Sequence, residues 1–121
     1  KSPEMKRLEN EQKALSLQSK LNDLQMQLVK EQATNEKLKQ EAESINSRAN
    51  SSASAFSDAG SASASAAEAK KAQRDLKKAQ KVNKDLANSD KKVQKLEKEI
   101  SRAQQKLAKT GVQVEFTQPA N

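Results

Sequence analysis

The sequence contains no cysteine, histidine, tryptophan or tyrosine, and only two residues each of glycine, proline and phenylalanine. Each absence removes a class of function. Without Cys or His there is no disulfide framework, redox centre or zinc site built from the usual ligands. Two glycines leave no means of building a phosphate-cradling or calcium-binding loop. The carboxylates do not make up the deficit. Glu41 and Glu43, like Glu97 and Glu99, stand at a spacing that sends them to different faces of a helix. No apolar run approaches the roughly 20 residues that cross a bilayer. The expected protein is not an enzyme, holds no cofactor or metal and has no membrane span. Absence of Cys leaves the compartment open. A first residue that is Lys rather than Met is expected both of a processed extracytoplasmic protein and of an excised fragment.

Large apolar side chains are scarce as well. Hydrophobic residues make up 33% of the chain, many of them alanine, so a closed three-dimensional core is not available. A one-dimensional seam is. Charged residues reach 32%, and the abundance of Ala, Lys, Leu, Gln and Glu favours long helices. Disorder is the rival for so polar a chain, and periodicity decides between them.

Ser2 and Pro3 read as a helix cap and first helical residue, after which neither Pro nor Gly occurs until Gly60. Leu17, Leu21, Leu24, Leu28, Leu38, Ala42, Ile45, Ala49 and Phe56 follow one alternating 4-3 spacing, with Glu31, Asn35 and Ser52 at the remaining positions. That is the seam of a coiled coil. Met5, Leu8 and Leu15 run in a different phase, which predicts a discontinuity between Leu15 and Leu17. A second apolar face comprises Ala69, Ala72, Leu76, Ala79, Val82, Leu86, Val93, Leu96, Ile100, Ala103 and Leu107, with a slip of one residue between Ala79 and Val82.

Between these faces lies a Ser- and Ala-rich stretch. Gly60 suits a left-handed helix end, and Ser65-Ala66-Ala67-Glu68 matches a capping box. The expected fold is therefore all-α: a long antiparallel two-helix coiled-coil hairpin over residues 1–110, with helices at about 3–58 and 66–109 and a turn at about 60–64. A continuous helix and a loose linker are the alternatives. Small seam residues (Ala42, Ala49, Ala69, Ala72) lie next to the turn and larger ones far from it on both arms, a symmetry that one straight helix does not need. Folding back at residue 60 predicts Asn35 close to the level of Asn83. Residues 111–121 form a short tail, irregular or strand-like, in which Val112, Val114 and Phe116 alternate with polar residues.

The net charge of +7 is unevenly placed. Lys70, Arg74, Lys77, Lys81, Lys84, Lys91, Lys95, Lys98, Arg102 and Lys109 follow a 4-3 spacing of their own, interrupted only by Asn88 and Gln105. One reading of this ladder is a solvated coiled-coil face, partly matched by intrahelical partners such as Lys71–Asp75, Lys81–Asp85 and Lys95–Glu99; the other is a polyanion-binding edge. Two functions follow from these patterns. One is a structural or interaction protein (spacer, scaffold or adaptor) working through helix–helix association, with a second copy or another coiled-coil protein as partner. The other is a cationic module whose stripe binds a polyanion such as nucleic acid, anionic lipid headgroups or an acidic cell-surface polymer.

Overall fold

The computed structural model describes residues 2–112, and in it two helices pack against each other as a helical hairpin. Helix α1 spans Pro3–Ser57 and α2 spans Ala62–Lys109; there is no strand among the described residues. The strand-like pattern after Val112 lies outside them.

Local chemistry sets each boundary. Ser2 Oγ accepts a hydrogen bond from the Met5 amide at 3.1 Å, satisfying one of the free donors at the start of α1. The connector is residues 58–61, earlier and tighter than the 60–64 expected. Ser61 rather than Ser65 caps α2, accepting from the Ala64 amide at 3.2 Å. Ser65 is already inside the helix, its own amide donating to the Ser61 carbonyl at 2.8 Å. With alanine at 62, 64, 66 and 67, the helix begins as soon as a cap is available. Gly60 does not adopt the expected left-handed conformation. Gly111 does, at φ 69°, where its amide donates to the Ala108 carbonyl and closes α2.

The residues divide into two compact units. One joins the start of α1, up to Lys30, to the end of α2, from Val93; the other is Glu31–Lys92. In the terminal unit Ala14, Leu21, Leu24, Ile100, Ala103 and Leu107 form a buried cluster, and Leu17, Leu28, Leu96 and Val112 pack against it. Leu21 is completely buried, which contributes roughly 1.5–3 kcal/mol relative to exposure.

The turn unit has a different interior. Ala42, Ile45 and Ala79 are buried alongside Asn35, Ser52, Asp75 and Ser89, while Leu38, Ala49, Ala72, Val82 and Leu86 are half-buried. Its polar groups pair across the two helices. Ser52 donates to Asp75, the Asn35 amide donates to Asp90 Oδ1 at 2.7 Å and to Ser89 Oγ at 3.2 Å, and the exposed Asn46 and Asn83 exchange hydrogen bonds at 3.0 and 3.3 Å. These pairs step forward along α1 and backward along α2, so the helices are antiparallel. Asn35 accordingly meets Ser89 and Asp90, not Asn83. The Ser52–Asp75 pair is centred between residues 63 and 64, displacing the point of symmetry from residue 60.

Candidate functional site

With the seam known, each helix can be divided into a face turned to its partner and a face turned away. On α1 the seam runs 14, 17, 21, 24, 28 and 31 in the terminal unit and 35, 38, 42, 45, 49 and 52 in the turn unit, every position buried or half-buried. Ala14, not Leu15, continues the frame: Ala14 is fully covered and Leu15 is 63% exposed.

On α2 the slip expected between Ala79 and Val82 does not occur. Positions 68, 72, 75, 79, 82, 86 and 89 keep an unbroken 4-3 spacing in the turn unit, as do 93, 96, 100, 103 and 107 in the terminal unit. Leu76 is 53% exposed and Asp75, at 6%, takes the inward position beside Ser52. Asp75 was expected to face Lys71; it is buried in the seam instead. Counting apolar residues misses Asp75 and Ser89, because a polar side chain occupies the seam when a partner across it supplies a hydrogen bond. Phe56 also leaves the expected seam and is exposed, near the end of α1.

Among the described residues seven large hydrophobic side chains are exposed: Met5, Leu8, Leu15, Met26, Val29, Phe56 and Leu76. They fall into two groups. Phe56 and Leu76, with Ala49, Asn50, Ala53, Ala69, Ala72 and Gln73, line an open groove of about 330 Å³ in the turn unit. The other five lie in the terminal unit and share one stripe of α1. Met5, Leu8, Gln12, Leu15, Ser19, Asn22, Met26 and Val29 recur at alternating intervals of three and four, as the seam does. At 3.6 residues per turn this stripe is centred about 150° from the seam, on the opposite side of the helix. The shifted phase of Met5, Leu8 and Leu15 is therefore a second stripe rather than a break in the first. Its signal was present in the sequence, since Leu15 is in step with Met26 and Val29.

The outward face of α2 is cationic. Lys70, Arg74, Lys77, Lys81, Lys84 and Lys91 are exposed in the turn unit, and Lys95, Lys98, Arg102 and Lys109 in the terminal unit. Lys70, Arg74 and Lys77, with Gln73, border an open concavity of about 370 Å³. No aromatic side chain interleaves with these cations, so this face has no stacking platform for bases. No group of three or more acidic side chains suited to a metal occurs among the described residues. No helix among the described residues is long and apolar enough to cross a membrane. No protein-family model matches the chain, and no curated protein or solved structure shows significant similarity to it.

Proposed function

We propose that this chain is a non-enzymatic interaction protein, a spacer, scaffold or adaptor that works by helix–helix association. One observation carries this reading: from Ala14 to Val29 α1 is apolar on two opposite faces, one covered by α2 and the other exposed at Leu15, Met26 and Val29, and Met5 and Leu8 continue the exposed stripe toward the start of the helix. A helix with one apolar stripe is satisfied by one partner; a second stripe in heptad spacing suits a second helix. A contiguous exposed apolar patch rimmed by polar residues is the usual form of an association surface.

The test is binding of a designed helical peptide with Leu and Ile at its heptad core positions and neutral flanks. The full chain is expected to take up this peptide, and Leu8→Glu with Leu15→Glu to abolish uptake while helicity is unchanged. Absence of uptake by the unmodified chain would remove the reading.

The cationic face of α2 supports a second reading, polyanion binding. It predicts retention on heparin or DNA that falls steeply with added salt, because phosphate or sulfate contacts release counterions. Elution at low salt would eliminate it. A solvated coiled-coil face would carry the same lysines without such retention.

A further inference from the structure

We infer that the outer stripe of α1 in the terminal unit is the interface with a second copy of this chain, α1 packing against α1. This rests on the reading of the chain as a helix-association protein and names the partner. Three features argue for a copy rather than an unrelated helix.

The first is the order of layers along the stripe, which are apolar at 5, 8, 15, 26 and 29 and polar at 12, 19 and 22. A partner must place polar groups at the same levels, since an apolar residue opposite Asn22 or Gln12 would bury an unsatisfied amide. A parallel copy meets this condition at every layer. An antiparallel copy centred near residue 17 sets Met5 against Val29, Leu8 against Met26 and Gln12 against Asn22, leaving only Leu15 and Ser19 mismatched. Self-complementarity of this kind is what a twofold interface requires.

The second feature is charge. The stripe is bordered by Glu4, Glu9, Glu11, Asp23 and Lys30 and, one position further out, by Lys6, Lys13 and Lys20. Arg7 lies 4.0 Å from Glu4 and 3.9 Å from Glu11. Both signs are present, so two such faces can meet without a net field between them. The outward face of α2 offers no equivalent: in the terminal unit it presents Lys95, Lys98, Arg102 and Lys109 and repels its own copy. Pairing through α1 leaves that face in water.

Third, α1 is already helical when the copy arrives. From Leu15 to Val29 the stripe lies on helix that α2 already backs through Ala14, Leu17, Leu21, Leu24 and Leu28, so this part does not have to order on binding as a free peptide would, while Met5 and Leu8 lie on a stretch exposed all round. The stripe is about 36 Å long at 1.5 Å per residue, a single helix–helix contact, so the association is at the weak end of specific interfaces, with a Kd on the order of micromolar.

Sedimentation equilibrium of the full chain from about 1 to 300 µM, a range spanning that Kd, tests the inference. The expected result is a mass that rises with concentration toward twice the monomer. Leu8→Glu with Leu15→Glu should weaken dimerisation by on the order of 100-fold, with circular dichroism of the dilute variant unchanged. Leu76→Glu, an exposed leucine off the stripe, serves as the control and should leave the dimer intact. A monomeric wild-type chain that still takes up the designed peptide overturns the second copy as occupant and leaves the association reading standing. A dimer that survives Leu8→Glu with Leu15→Glu overturns the assignment of the surface. Loss of helicity in that variant calls for Met26→Lys with Val29→Lys, which must then weaken the dimer for the inference to stand.

Discussion

The two units are built from the same pair of helices and solve the same packing problem with different chemistry. The terminal unit fills its seam with Leu21, Leu24, Ile100 and Leu107, side chains that stabilise through apolar area alone. The turn unit buries Ile45 and two alanines, half-buries Leu38, Val82 and Leu86, and adds hydrogen-bonded polar groups, Ser52 with Asp75 and Asn35 with Ser89 and Asp90. Apolar area is non-directional and tolerates sliding. A hydrogen bond between two named residues does not. The comparison teaches that stability is concentrated near the chain ends and alignment near the turn.

The largest effect is expected where the apolar area is greatest. Leu21→Ala should destabilise by about 2–5 kcal/mol, the range for a fully buried leucine, and hydrogen exchange should show the loss first in the terminal unit. If the turn unit opened first, the assignment of stability to the terminal unit would be wrong.

A smaller effect sharpens the other half of the comparison. Ser52→Ala leaves Asp75 buried without its partner and should cost about 1–3 kcal/mol in denaturant unfolding. Ser52→Ala combined with Asp75→Leu should recover most of that loss, because an apolar pair has no unmet hydrogen bond. A double variant no more stable than the single one would show that the pair does more than satisfy itself.

The caps provide the next step down. Ser61→Ala should cost about 1 kcal/mol in thermal melting while Ser65→Ala costs little, since only Ser61 holds the first amides of α2. Smallest of all, Gly60→Ala should be neutral or stabilising by up to about 1 kcal/mol, since a side chain there meets open space at an ordinary φ. Gly111→Ala, at φ 69°, should be destabilising by about 1 kcal/mol and provides the contrast.

How much of this was legible beforehand depended on whether the signal was apolar or polar. The α1 seam from Leu17 to Ala49 could be read from leucine and alanine spacing, because apolar residues bury themselves without a partner's consent. The α2 seam could be read only in part. Leu76 attracts any count of hydrophobic residues, yet the frame passes through Asp75, and its burial depends on Ser52, 23 residues away. The turn was misplaced because Ser61 and Ser65 are both plausible caps in isolation, and the choice is made by the earlier one. The outer stripe was visible only as a phase error. Two heptad patterns superposed on one helix cancel in any single-face description, and the covered face must be known before the uncovered one can be recognised.

The pairing of Ser52 with Asp75, Asn46 with Asn83 and Asn35 with Ser89 means that alignment is held by side chains rather than by the length of the connector. The chain near Gly60 is thus free to vary. Several residues, or a small folded domain, inserted after Gly60 should leave all three pairs intact, measurable as an unchanged melting temperature and unchanged exchange protection at the Asn35 level. The hairpin tip is in this sense open to insertion, with the arms keeping their place.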